Sequence, residues 1–216
     1  SNARNEYVGY MYTLGEAHGL SESSVIKQAN DEFYENYLAS YSEYIDLSAG
    51  FCGDRSTLNL QSGVGTEKIP THYTGYLRVA ERKPSLLCEN AMHLYTHTSS
   101  SKGNKALTYP IGLITMDEVM LAGTGGGIFN GSKNHMPTNS NGYLNTADTF
   151  WTMTPAGGYN PFGYYSWFAF MFEVYENGQL VDLDTTRDEA LRSVINLRND
   201  LKFMGNGTIE NPYKLA

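Results

Sequence analysis

The chain has 216 residues, 41% of them hydrophobic and 18% charged, a composition typical of one large globular domain or two small ones. A formal net charge of -8 without any cluster of Lys and Arg makes nucleic acid an unexpected partner, because phosphate backbones repel acidic proteins. The sequence has no run of 18 apolar residues, so we expect no membrane-spanning helix in it.

The first three residues, Ser1-Asn2-Ala3, are typical of the remnant of a cleaved expression tag and are excluded from the fold prediction. The sequence continues at Arg4 without a Met, which favours the removal of an upstream signal peptide, membrane anchor or flexible domain. We interpret residues 4–216 as a single globular domain.

The N-terminal part begins with an alternating, Tyr-rich segment from Tyr7 to Tyr12, which predicts a strand. Ser21 to Ser24 then offer helix caps. The apolar residues that follow at helical spacing predict a helix that packs on a sheet; they are Val25, Ile26, Ala29, Phe33, Tyr37 and Leu38. Short strands and loops are expected between Tyr44 and Tyr76.

The central part contains an apolar run from Tyr109 to Ile114. Thr115 and Glu118 follow it with the spacing of a capping box. This pattern predicts a short helix from Met116 to Ala122, which Gly123 would end.

A loop rich in Gly, Asn, Ser and Thr is predicted from Thr124 to Asp148, and loops of that length are usually functional or mobile. Gly126 and Gly131 have the spacing of a phosphate-binding loop. Ser132-Lys133 stand in the reversed order, however, and the segment follows a helix instead of a strand, so nucleotide binding is disfavoured.

The C-terminal part contains the strongest hairpin signal. Asn177-Gly178 separates the apolar segment Ser166 to Tyr175 from Gln179 to Leu183. Val194 to Leu197 predicts a short buried strand. We therefore expect an α+β fold with a mixed or antiparallel twisted sheet, two main helices and long loops.

The two cysteines, Cys52 and Cys88, form one disulfide if the protein is secreted, or are two buried thiols if it is cytosolic. A nucleophilic pair of Cys52 with His72 or His18 would require a free thiol.

Two groups of residues could hold a metal ion. His93 and His97 have zinc-ligand spacing on a helix, but Leu94 stands where zinc proteases carry their catalytic Glu, so ordinary histidines are favoured. Asp182, Asp184 and Asp188 offer oxygen ligands that suit Ca²⁺. The sixth position, where an EF-hand needs Gly, is Arg187, and a solvated acidic turn is the alternative.

Aromatic residues crowd the segment before the hairpin. Tyr159, Tyr164 and Tyr165 are candidate ligand-binding residues, because rings presented on a loop stack on sugars or anchor a protein partner. The alternative is that the rings of this segment, Trp167 among them, fill the core beside Trp151.

Six segments spread over the chain together form a pattern. They are Phe51 to Ser56, Pro84 to Cys88, Tyr109 to Gly123, Trp151-Thr152-Met153-Thr154-Pro155, Arg192 to Leu197, and Gly205-Asn206-Gly207-Thr208 with Asn211-Pro212-Tyr213. This series resembles an uncharacterised domain family of Gram-positive gut and clostridial bacteria, whose members are commonly secreted or anchored at the surface.

A more distant resemblance is to C-type-lectin-like and formylglycine-generating-enzyme-type folds. Those enzymes need a reactive cysteine pair late in the chain, and no cysteine follows Cys88 here, so their catalysis is not expected.

The resemblance implies a domain that is secreted or exposed at the bacterial cell surface, which favours the disulfide, but its motifs carry no known activity. Our leading hypothesis is a non-enzymatic extracellular module that binds or adheres to a glycan or protein ligand. A secreted hydrolase of surface polymers and a purely structural appendage subunit are the alternatives. Ca²⁺ is the one cofactor that the sequence leaves open.

Four residues of the shared motifs, Asp54, Arg55, Trp151 and Arg192, are interpreted as structural. Because an unpaired buried charge is strongly unfavourable, we expect Arg55 or Arg192 to pair with Asp54 or Asp117.

Overall fold

The computed structural model describes residues 7–16, 18–58, 71–99, 101–123, 142, 144, 148–159, 168–208 and 210–216. Within these residues the chain forms three α-helices, α1 (Val25–Phe33), α2 (Thr74–Glu81) and α3 (Met116–Leu121). The strands are β1 (Met11–Tyr12), β2 (Glu22–Ser23), β3 (Gly50–Cys52), β4 (Thr71–His72), β5 (Leu94–Thr96), β6 (Gly112–Leu113), β7 (Phe150–Tyr159), β8 (Phe168–Val174), β9 (Leu180–Asp184), β10 (Ala190–Leu191), β11 (Ser193–Val194), β12 (Phe203–Met204) and β13 (Lys214–Leu215).

The main sheet has five strands in the order β10-β7-β8-β9, and β4 pairs with the far end of β7. β10 runs parallel to β7, whereas the other pairs in this sheet are antiparallel. The remaining strands form two-stranded antiparallel ladders. The predicted α+β class with a mixed or antiparallel sheet is therefore confirmed, although the described residues form three α-helices where two main helices were expected.

The predicted hairpin joins β8 and β9. Gly178 has φ +78°, a conformation that favours glycine, and the backbone N–H of Tyr175 donates to the carbonyl of Gln179 at 2.9 Å. The pairing continues without a shift from Val174–Leu180 to Phe170–Asp184. The turn thus fixes which side chains of β8 and β9 share a face of the sheet.

The main sheet separates two hydrophobic clusters. We call its two sides face A, which carries Trp151, Met153 and Met171, and face B, which carries Phe150 and Phe172. On face A these residues pack against the N-terminal segment and β3, β5 and β6. On face B the sheet packs against α2 and α3.

The orientation of α1 differs from the prediction. Ser24 caps the helix by accepting from the N–H of Lys27, as its sequence predicts. The buried side chains are the polar Lys27 and Asn30, whereas Val25 and Phe33 are exposed. The prediction that this apolar face packs on a sheet is wrong for these two residues and for Tyr37, although Ile26 and Leu38 contact the core.

Hydrogen bonds explain why α1 buries its polar side chains. Lys27 Nζ donates to Asp31 at 2.6 Å and to Thr108 at 3.1 Å. Asn30 Nδ2 donates to the hydroxyl of Tyr10 at 2.9 Å and to the carbonyl of Gly112 at 3.1 Å. Since the buried polar atoms have partners, their burial does not destabilise the fold as it would without them.

The remaining local predictions have mixed outcomes. The capping box of Thr115 and Glu118 is present at the start of α3. α2 was not predicted, because its first residues fall in the segment expected to hold strands and loops. Val194 lies in β11 but is only partly buried, and Leu197 is exposed, so the strand is shorter and less buried than predicted.

Candidate functional site

A cavity of about 520 Å³ opens on face A of the main sheet. Its floor is formed by β7 and β8 through Trp151, Met153 and Met171. Its walls are the N-terminal segment from Tyr7 to Tyr12, the first turns of α1, and residues 185–189. The volume lies within the range of small-molecule sites, which makes this cavity the candidate functional site.

Four aromatic rings line the cavity, two of them buried and two accessible. Tyr10 and Trp151 are almost fully buried, and the hydroxyl of Tyr10 is held by Asn30. Tyr7 and Tyr12 are partly exposed and lie in contact, with ring centroids 5.0 Å apart. The accessible rings offer apolar faces on which a sugar or an organic cation can stack.

Residues 185–189, which we call the crossover segment, contribute the charged side chains of the cavity. The segment connects β9 at one edge of the sheet to β10 beyond β7, so it crosses β8 and β7 on face A. The N–H of Thr185 donates to the carbonyl of Ala169 at one end of the segment. Arg187, Asp188 and Glu189 line the cavity from this segment.

Glu173 lies beneath the crossover segment and is fully buried, with 0% of its surface exposed. Within the described part of the chain, neither of its carboxyl oxygens has a hydrogen-bond partner. Burial raises the pKa of Glu173 from 4.5 to about 8, and the negative charge of Glu189 adds to this shift while Arg187 opposes it. The Glu173 carboxyl is therefore protonated at neutral pH.

Glu173 was not predicted as a site residue, although the sequence around it carries a signal. It is the single charged residue in the otherwise apolar strand Phe-Ala-Phe-Met-Phe-Glu-Val. A carboxyl in such a strand is either buried or marks an exposed edge, and β8 lies in the interior of the sheet, between β7 and β9.

The three acidic residues proposed for Ca²⁺ have different surroundings. Asp182 pairs with Phe172 across the sheet and shares face B with it, while Asp188 lines the cavity on face A. Asp184 accepts from the N–H of Thr186 at 3.1 Å within the turn. Among the described residues no group of three or more His, Cys, Asp or Glu could hold a metal ion, and Ca²⁺ binding stays a prediction.

The predicted aromatic site is mostly outside the described residues. Tyr164 and Tyr165 lie in the range 160–167, which the structure does not describe, and so does most of the loop from Thr124 to Asp148. Tyr159 ends β7, where its backbone pairs with Phe168. The role of these three Tyr residues stays a prediction.

The predicted ion pair exists with a different arginine. Arg78 of α2 donates to Asp117 through Nε at 2.8 Å and Nη2 at 2.9 Å, and to Asp54 through Nη1 at 2.8 Å. Although burial acts in the opposite direction, hydrogen bonds from His93 and Thr74 hold the pKa of Asp54 well below its usual range. The expectation that Arg55 or Arg192 is the partner is wrong.

Other groups surround those two arginines. Arg55 is buried, and its guanidinium donates to the carbonyls of Val8, Met11 and Gly19 at 3.0 to 3.3 Å. Arg192 lies over the ring of Phe150, with Cζ 4.5 Å from the ring centroid. Carbonyl oxygens around Arg55 and a π face beside Arg192 thus take the place of the carboxylate that we expected.

The histidines belong to the framework in the same way. His93 Nδ1 lies 3.3 Å from Asp54 Oδ1 and 3.2 Å from the backbone nitrogen of Arg55, while His97 Nδ1 lies 3.2 Å from the carbonyl of Leu107.

Cys52 and Cys88 form a disulfide, with Cα atoms 5.7 Å apart. The predicted disulfide is therefore confirmed, and a free Cys52 nucleophile is excluded. In the described ranges, no helix has both the length and the apolar character that crossing a bilayer requires.

Comparison with known proteins finds no family model, no curated protein and no solved structure that matches this chain. The functional assignment therefore depends on the cavity, its charged groups and the disulfide.

Proposed function

We propose that the chain is an extracellular ligand-binding module of a bacterial surface protein, without catalytic activity, and that the cavity on face A binds a glycan or a side chain of a protein ligand. The cavity itself carries this proposal, because it is lined both by the accessible rings of Tyr7 and Tyr12 and by the carboxylates of Asp188 and Glu189. Rings that stack and carboxylates that accept hydrogen bonds are the groups with which proteins bind sugars and amines.

The extracellular location is supported by the disulfide. Disulfides persist in oxidising compartments and are rare in reducing ones. Membership of the surface-domain family and a C-type-lectin-like arrangement of the sheet are parts of the same proposal.

A glycan array with and without Ca²⁺ tests the proposal. We expect binding by the wild type and its loss in Tyr12→Ala, which removes an accessible ring from the cavity. Tyr41→Ala is the matched control, because Tyr41 is exposed and does not line the cavity. Binding that survives Tyr12→Ala but is lost in a Tyr159→Ala/Tyr164→Ala double variant would move the site to the aromatic segment.

A second candidate function, hydrolysis of a surface polymer, is favoured by one observation. A buried, protonated carboxyl beside a cavity can donate a proton to a leaving group, as general acids of raised pKa do. Incubation with cell-wall polysaccharides and an assay for new reducing ends separates the two functions. Turnover by the wild type that disappears in Glu173→Gln would establish the hydrolase and contradict the binding module.

A further inference from the structure

Glu173 is a buried polar group whose position the fold alone does not explain. Nearly all buried carboxyl groups in proteins have hydrogen-bond partners, because desolvation without compensation is unfavourable. Both oxygens of Glu173 are buried, and among the described residues neither has such a partner. A buried polar group without a partner in a folded protein calls for an explanation, and a functional role is one of them.

The side chain of Glu173 leaves the sheet on the side of the cavity. Side chains alternate along a strand, so Glu173 shares face A with Met171, two residues earlier, and Met171 lines the cavity. Its partner across the sheet is Trp151, another residue of the cavity floor. The Glu173 carboxyl does not itself line the cavity, but Glu189 and Arg187 of the crossover segment lie close enough to influence its pKa.

The charge of the cavity selects against anions. Among the described residues that line the cavity, only Arg187 has a cationic side chain. The Nε atom of Arg187 lies 3.7 Å from Asp184 Oδ2. Asp188 and Glu189 add two carboxylates. The Glu173 carboxyl is uncharged in the free protein at pH 7 and adds a negative charge only when it loses its proton. A cationic ligand is attracted by this excess of negative charge and an anionic one is repelled.

The accessible rings favour the same kind of ligand. Tyr7 and Tyr12 present π faces, whose electrostatic potential is negative and attracts cations. Rings and carboxylates together are the groups that proteins use to bind ammonium groups.

We propose that the cavity recognises a primary ammonium group, carried by an amino sugar or by a lysine side chain, and that Glu173 is its counter-ion. This inference rests on the proposed binding function and names the chemistry of the ligand. The ammonium donates to the two carboxyl oxygens that have no partner in the free protein, and its entry displaces the crossover segment from above them.

The binding of an ammonium group at Glu173 has a measurable consequence. The free carboxyl is protonated at pH 7, whereas its pair with a cation requires the carboxylate. For a lysine side chain, whose amine stays protonated from pH 7 to pH 9, binding at pH 7 therefore releases roughly one proton and binding at pH 9 almost none.

Isothermal titration calorimetry with two matched probe pairs tests the proposal. Glucosamine is compared with glucose, and Nα-acetyl-lysine amide with Nα-acetyl-norleucine amide, each in two buffers of different ionisation enthalpy at pH 7. We expect the amine of at least one pair to bind about tenfold or more tightly than its neutral partner, with proton release. The pair that shows the preference identifies the source of the ammonium group.

Variants separate Glu173 from the general charge of the protein. Glu173→Gln keeps the shape of the side chain, and we expect it to lose both the preference for the amine and the proton release. Glu35→Gln makes the same chemical change at an exposed position outside the cavity and should leave both unchanged.

The outcomes distinguish this inference from the proposed function. Equal binding of amine and neutral probe, or a preference that persists in Glu173→Gln, overturns the inference while the binding module stands. Absence of binding by all four probes also overturns it. The glycan array then decides about the proposed function. If it shows no glycan binding that is lost in Tyr12→Ala, the proposed glycan site in the cavity is contradicted as well.

Discussion

At the scale of single residues, Glu173 ties the stability of the fold to pH. Its pKa is about 8 in the folded protein and close to 4.5 when it is solvated. The folded state therefore holds the proton more tightly, and stability falls as the pH rises from 4.5 to 8. Each unit of pKa difference corresponds to ~1.4 kcal/mol, so the Glu173 contribution to the fall is several kcal/mol.

The Glu173→Gln variant isolates this effect, because Gln does not titrate. We expect it to be more stable than the wild type at pH 8.5 and to approach the wild type at pH 5. Urea denaturation at several pH values measures the difference. A constant difference in the free energy of unfolding over this range would mean that Glu173 does not hold its proton at neutral pH.

The identity of the buried ion pair shows what sequence reasoning could not supply at this scale. Arg55 or Arg192 was expected to pair with Asp54 or Asp117, and both carboxylates pair with Arg78 instead. Arg78 lies 39 residues from Asp117 in sequence, and no local pattern distinguishes it from Arg55 or Arg192. Pairing across such a distance is decided by the tertiary packing of α2 against α3.

At the scale of elements, Arg78 connects α2 to α3. We expect Arg78→Leu to destabilise the protein by about 2–3 kcal/mol, because it leaves two carboxylates of low exposure without their cation. Arg198→Leu removes a guanidinium from an exposed pair with Asp200 and should change stability much less, because solvent screens such pairs. Thermal unfolding of both variants checks the contrast, which similar losses would contradict.

The disulfide is a second connection between elements. It joins β3 to the segment before β5 across 36 residues of sequence. Closure of a loop of that length stabilises the folded state by roughly 3–4 kcal/mol through the entropy of the unfolded chain. We expect the Cys52→Ser/Cys88→Ser variant to lose this amount in urea denaturation, and reductant to lower the wild type to the same midpoint. A variant as stable as the oxidised wild type would contradict this role.

The elements that the sequence predicts well are those with a local cause. The capping box of α3 and the Asn177-Gly178 turn depend on residues within three positions of each other, and both are present. The periodicity of α1 shows that apolar residues share a face, but not that this face is directed inward. Tyr10 and Thr108 decide that Lys27 and Asn30 are buried instead, and both contacts are tertiary.

At the scale of the whole molecule, the cavity exists because the N-terminal segment is held against face A. Arg55 provides much of this attachment, since its guanidinium donates to the carbonyls of Val8, Met11 and Gly19. Gly9 has φ +114°, and a Cβ there would lie 3.3 Å from Arg55 Cδ. The segment therefore follows the guanidinium closely, and the wall of the cavity depends on a residue that does not line it.

Arg55→Met removes these donors and leaves three carbonyl oxygens with reduced hydrogen bonding. We expect a loss of about 3 kcal/mol in stability, together with faster amide exchange in residues 8–20. β7 to β9 should remain protected, because their ladder does not involve Arg55.

Arg192→Met is the control, since Arg192 stacks on Phe150 of face B and its loss should leave exchange in residues 8–20 unchanged. Hydrogen exchange with mass spectrometry measures each region separately. Uniform acceleration throughout the chain in Arg55→Met would show that Arg55 supports the whole core and that the cavity wall has no separate attachment.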